Sequence, residues 1–183
     1  MKVKKGTSRR SAYNLQSLYG DEIETHTLAV IVDNEAGVLA RVIGLFSGRG
    51  YNIESLTVAE IDHQGHHSRI TVVTTGTPAV IEQIKAQLGR LVPVHDVKDL
   101  TVEGPSVERE LALIKVAGKG DMRAEALRAA EVFRVKVVDS TLESFVFEIT
   151  GAPEKIDAFT EMMRPLGLVE IARTGVAAIM RGK

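Results

Sequence analysis

The chain has 183 residues, room for one large domain or two small ones, and 44% hydrophobic with 26% charged side chains is an ordinary globular composition that can bury a core. Its 23 basic and 24 acidic residues nearly cancel to a net charge of −1, which argues against nucleic acid as the main partner. There is no cysteine, so disulfides, thiolate metal sites and cysteine nucleophiles are excluded and a reducing cytoplasm is the expected location; no apolar run approaches the ~20 residues of a membrane span.

In chain order, residues 1–24 begin with the basic stretch "MKVKKGTSRR" and carry no apolar segment of the kind a secretory leader needs. They read as a solvated extension, with an arm that touches a partner as the sharper alternative. Thr27–Val32, "TLAVIV", is rich in β-branched residues and predicts a strand. Val38, Leu39, Val42, Ile43 and Phe46 recur at helical spacing, and Gly48-Arg49-Gly50 stops that helix. "YNIESLTVAEID" and "SRITVVTTG" predict a strand pair across the polar turn His63–His66. Thr77-Pro78 suits the N-cap and first turn of a helix with the stripe Val80, Ile81, Ile84 and Leu88, and "VPVHDVKDLTV" supplies a fourth strand.

Glu103-Gly104-Pro105-Ser106 is the linker, because Gly-Pro breaks either kind of element. Beyond it the order recurs. "ELALIKVAG" is a strand, and Asp121–Phe133 a helix with Met122, Ala126, Leu127, Ala130 and Phe133 inward. "VKVVDST" and "SFVFEITG" form a pair, with Phe145, Phe147 and Ile149 alternating onto one face. Pro153 opens a helix bearing Ile156, Phe159 and Met163, and "LGLVEIAR" is the last strand. The fold class is α+β: two ferredoxin-like βαββαβ domains in tandem, over residues 25–103 and 106–181, each an antiparallel sheet with helices on one face. Dimerisation through open sheet edges or helix faces is a natural expectation of that arrangement.

No arrangement of catalytic side chains stands out: the nucleophile-elbow, zinc-protease and phosphate-loop motifs are all missing from the sequence. His63, His66 and His67 have a spacing that would align metal ligands on a helix, but Gly65 and the flanking strand patterns favour a hairpin turn. Gly118-Lys119-Gly120 lies between strand and helix, where a phosphate loop would be. Arg123 stands where a third fingerprint glycine is needed, so a tight turn is the better reading. Glu108 and Glu110 share a strand face and read as a solvated edge.

The first strand-to-helix joint, "DNEAGVLARVIGLF", is more suggestive. Asp33 and Asn34 are N-cap candidates, and the helix start presents free backbone N–H groups and a positive dipole end suited to a carboxylate. Gly37 leaves the backbone open to a ligand, and the Asn34 amide can serve both an ammonium and a carboxylate. From the residues alone, a capped helix with a turn glycine and a site for a small zwitterion both stand. Asn52 opens the next strand at the opposite end of the helix, so the two asparagines can converge only if a second copy supplies one of them.

The stretch "LAVIVDNEAGVLARVIGLFSGRGYNIESLTVA", with "VERELALIKV" and "EVFRVKVVDST" beyond it, strongly resembles the small regulatory subunit of acetolactate synthase (acetohydroxyacid synthase), over roughly residues 25–181. The resemblance implies an N-terminal ACT domain that binds an amino acid, followed by a C-terminal ferredoxin-like domain. It implies a chain with no activity or cofactor of its own. Its partner would be the large catalytic subunit, which carries thiamine diphosphate, Mg and FAD. The small subunit would activate that partner and confer feedback inhibition by valine, leucine or isoleucine. The family's effector site lies between two ACT domains of a homodimer. Here it would use Asn34, Ala36, Gly37, Val38 and Leu39 from one copy and Asn52 and Ile53 from the other. Two rival readings are a tandem-ACT regulator acting on transcription or on a different enzyme, and a free-standing enzyme, which the lack of a catalytic set disfavours.

Overall fold

The computed structural model describes residues 22–182. All but the last three residues of the 1–24 extension lie outside them. The first unit runs β1 (Glu24–Asp33), α1 (Val38–Ser47), β2 (Ser55–Asp62), β3 (His67–Gly76), α2 (Pro78–Leu88) and β4 (Val94–Asp99), with sheet order β2-β3-β1-β4. The second runs β5 (Ser106–Val116), α3 (Asp121–Phe133), β6 (Lys136–Ser140), β7 (Phe145–Gly151), α4 (Pro153–Met163) and β8 (Leu168–Arg173), with order β6-β7-β5-β8. Both are antiparallel βαββαβ units, as the alternation of apolar periods predicts.

Each unit has its own core. Leu28, Val30, Val32, Ile70 and Val72 line one face of the first sheet and meet Val42 and Phe46 of α1 and Ile81, Ile84 and Leu88 of α2. In the second, Ala112, Ile114 and Val116 of β5 and Phe145, Phe147 and Ile149 of β7 meet Ile156, Phe159 and Met163 of α4. The small Ala126, Ala129 and Ala130 let α3 lie close against them. Met122, expected inward, is instead half-exposed in the first turn of α3, whose buried residues are Ala126, Ala129 and Ala130. Thr77 does occupy the N-cap position of α2, but its side chain makes no capping bond.

A strand not expected from the sequence follows β8. Ala177–Met180 forms β9 and pairs with Ser106–Arg109, which explains why β5 begins four residues before the predicted Glu110. β9 also meets the first sheet on the face its own helices leave bare. Val176 and Ala178 are buried there with Ala29, Val73 and Leu100. Arg69 Nη2 donates to the Ala178 carbonyl at 2.6 Å, and the Val176 N–H donates to Ser55 Oγ at 2.9 Å. The end of the second unit thereby joins the first.

The same region corrects the reading of Glu110 as a solvated edge. Its side chain is only 4% exposed, because the guanidinium of Arg173, reaching across from β8, clamps both of its oxygens. Arg173 also donates to Asp157 at 2.6 Å. Hydrogen bonding to Glu110 holds the guanidinium firmly in its charged form against the opposing effect of burial. Gly118-Lys119-Gly120 is the expected tight turn, with Gly118 so close to the backbone that a Cβ would lie 2.7 Å from the Leu166 carbonyl oxygen.

Removing Arg173 strands a buried carboxylate, which costs about 3 kcal/mol or more. Arg173→Met should therefore lower the urea midpoint clearly, and the added change Glu110→Gln should recover part of the loss. A midpoint equal to wild type would mean that water reaches Glu110.

Candidate functional site

β1 ends at Asp33, and residues 34–37 turn the chain into α1. Neither Asp33 nor Asn34 is the N-cap. That position belongs to Gly37, in the left-handed conformation with φ 88°, and no side chain caps the helix. A glycine adopts this geometry without steric cost, which is what lets the turn close so late. Asp33 Oδ1 instead accepts from His95 Nε2 at 2.6 Å, and the Asn34 N–H donates to the His66 carbonyl at 2.6 Å.

An uncapped start leaves the first N–H groups of α1 without side-chain partners, and its first turn holds no acidic residue. The positive end of the helix dipole is thus not neutralised from within the helix. Asn34, Ala36 and Gly37 are exposed around it, and the space a Cβ of Gly37 would enter has nothing within 4 Å. The Val38 side chain is buried in the core, so this expected site residue can offer a ligand only its backbone. Leu39 keeps 38% of its surface exposed and offers an apolar wall beside the helix start, where the Val38 N–H makes a long 3.4 Å bond to the Glu35 carbonyl.

Asn52 and Ile53 lie elsewhere. The Asn52 carbonyl accepts from Thr74 Oγ1 at 2.6 Å, near the end of β3, while its amide donates to Glu54 at 2.5 Å. Ile53 packs at the margin of the first core. Asn34 is fastened at His66 and Asn52 at Thr74. Eight residue steps of extended strand between those anchors correspond to about 26 Å. Within one chain the two halves of the expected site do not meet.

His63–His66 form the hairpin turn between β2 and β3, so the three histidines share no helix face. Asp62 anchors that turn: the backbone N–H groups of Gly65 and Gln64 hold its carboxyl below the ordinary aspartate range.

Known proteins carry the same pattern along the chain. Residues 28–96 match the profile of the AHAS small subunit-like ACT domain, and residues 109–182 that of the small subunit of acetolactate synthase. A probable acetolactate synthase small subunit of Archaeoglobus fulgidus is 45% identical over 157 residues, covering 86% of this chain and 97% of its own length. The acetolactate synthase small subunit of Aquifex aeolicus is 47% identical over 161 residues, covering 87% and 83%. The chain belongs to the acetolactate synthase small-subunit family.

A solved relative agrees in three dimensions. The acetolactate synthase small subunit of Thermotoga maritima superposes with a TM-score of 0.78 at 38% identity, covering 87% of this chain and 99% of that one. Small subunits of this family are regulatory rather than catalytic. Among the described residues no helix is long and apolar enough to cross a membrane.

The left-handed joint gives a direct prediction. A Cβ at Gly37 has space but the wrong backbone, so Gly37→Ala should cost about 1–2 kcal/mol, and Gly37→Asn less, because asparagine tolerates this conformation better. Chemical denaturation of the three proteins tests the order; equal midpoints would show that the loop relaxes freely.

Proposed function

We propose that this chain binds the large catalytic subunit of acetolactate synthase, activates it, and makes it subject to feedback inhibition by a branched-chain amino acid, valine foremost. The thiamine diphosphate, Mg and FAD chemistry belongs to that partner. Family membership across both units supports the regulatory role. The uncapped start of α1 is the observation that carries the effector site.

On this reading the effector carboxylate takes the N–H groups around Gly37 to Leu39 and the positive helix end. Asn34 serves the ammonium or carboxylate. Ala36 borders the entrance, and the branched side chain rests on Leu39. Asn52 and Ile53 come from the second copy of a homodimer, since one chain holds its own pair about 26 Å away. Sensing at micromolar to millimolar levels requires about 4–8 kcal/mol of binding energy. Charge-assisted hydrogen bonds and one buried aliphatic group are enough to supply it.

Occupancy matters to the partner only if valine binds two arrangements of the dimer unequally, by a coupling of about 1–3 kcal/mol. The test combines calorimetry and activity. Wild-type chain should bind valine and render the catalytic subunit valine-sensitive. Gly37→Asp sets a carboxylate against the ligand carboxylate and should abolish both effects while still activating the enzyme. Gly37→Asn, uncharged and nearly the same size, should retain binding within about tenfold. Undiminished valine binding by Gly37→Asp would refute the site. Failure of the wild-type chain to activate the catalytic subunit would refute the role.

A further inference from the structure

The first sheet carries a second group of functional side chains that the effector reading does not use. Asp33, at the end of β1, is the directly opposed register partner of His67 on β3. His95 comes from β4, where Val94 and Asp96 pair with the consecutive residues Val32 and Ile31. His95 is therefore the extra residue of a β-bulge, a device that re-aims a side chain. Its imidazole meets Asp33 Oδ1 through Nε2 at 2.6 Å and stands edge-on to the His67 ring, with centroids 4.8 Å apart. One ligand atom from each of the three residues lies within 4.8 Å of the other two. Behind His67, Asp62 Oδ2 lies 3.9 Å from Nδ1, longer than a hydrogen bond but close enough to add negative charge beside that imidazole.

We propose that Asp33, His67 and His95 bind one divalent transition-metal ion. Two imidazoles and one carboxylate suit Zn²⁺, Ni²⁺, Co²⁺ or Cu²⁺ and disfavour Mg²⁺ and Ca²⁺, which take oxygen ligands. Metal–ligand bonds of about 2.0–2.2 Å set neighbouring ligand atoms roughly 3.4 Å apart, so an entering ion would replace the 2.6 Å Asp33–His95 hydrogen bond and draw the three side chains, now within 4.8 Å, around itself. The three ligands sit on three adjacent, hydrogen-bonded strands, so the ladder fixes their relative positions before any ion arrives. All three side chains are between 36% and 46% exposed, which gives an ion access and leaves coordination positions to water. His63, by contrast, is 87% exposed in the hairpin turn and pairs with Glu60 at 3.0 Å, outside the group. Because Asp33 adjoins Asn34, a bound ion would tether the root of the loop that leads to α1; binding of the ion itself does not depend on the effector reading.

The full chain, stripped of metal with a chelator, would be titrated with Zn²⁺ by calorimetry. One equivalent should bind to wild type, at least tenfold more weakly to His95→Gln and to His67→Gln, and with unchanged affinity to His63→Gln. Cu²⁺ loaded at one equivalent should show electron-spin couplings from two imidazole nitrogens in wild type and from one in either of the first two variants. The proposal is overturned if wild type binds no Zn²⁺, or if His95→Gln and His67→Gln both bind as tightly as wild type. It is overturned equally if His63→Gln loses as much affinity as they do. Circular dichroism of each variant confirms that the comparison is between folded proteins.

Discussion

The length of α1 governs what this molecule can do with its first sheet. Ten helical residues carry the chain about 15 Å back along the sheet, and the loop through Gly48–Glu54 takes it the rest of the way. The start and finish of that excursion are therefore fixed at opposite ends of β1 and β3. A ligand the size of valine spans a small fraction of the distance. Any site that uses both ends must be assembled from two chains, and the fold imposes that before any detail of recognition enters.

The second constraint is the bare face of a βαββαβ sheet. Two helices cover one side, and the other needs a partner. In the first unit the chain supplies its own: residues 176–180 bury Ala29, Val73 and Leu100 and hydrogen-bond to Ser55 and Arg69. The junction is thus partly apolar and partly specific in direction. Nearby, the Glu110–Arg173 clamp ties β5 to β8, so charge burial and strand pairing reinforce each other at the root of the same segment. A change at the α1 end of the first sheet therefore meets a second unit that is attached through strand contacts as well as through the linker.

Most of the fold was legible because its signals are local. Helix stripes at 3.6-residue spacing, alternation such as Phe145, Phe147 and Ile149, and Pro at the starts of α2 and α4 each need only a few neighbouring residues to be read. What was missed depends on distant partners. β9 is four small and apolar residues whose strand character comes from pairing with residues about seventy positions earlier. Glu110 looked solvated because Arg173 is remote in sequence. The cap of α1 was misplaced by three or four residues because a left-handed glycine outcompeted Asp33 and Asn34. The grouping of Asp33, His67 and His95 rests on strand register and one bulge, neither of which has a sequence signature at that range.

The misplaced cap bears on mechanism. Had Asn34 or Asp33 capped α1, the helix N–H groups would already be satisfied, and a ligand carboxylate would have to displace an internal bond to reach them. With Gly37 in that position no side chain occupies the donors; the Val38 N–H makes only a long 3.4 Å bond to the Glu35 carbonyl, and in the proposed site the exposed Asn34 side chain contacts the ligand. In the proposed two-fold dimer each chain contributes its helix start to one site and its Asn52 end to the other. Filling either site then ties the start of one α1 to the far end of the other. Filling both resists rotation of one protomer against its mate about the two-fold axis. A dimer stiffened in this way favours whichever of its arrangements closes the two sites best, and a catalytic partner that prefers a different arrangement loses activity in proportion.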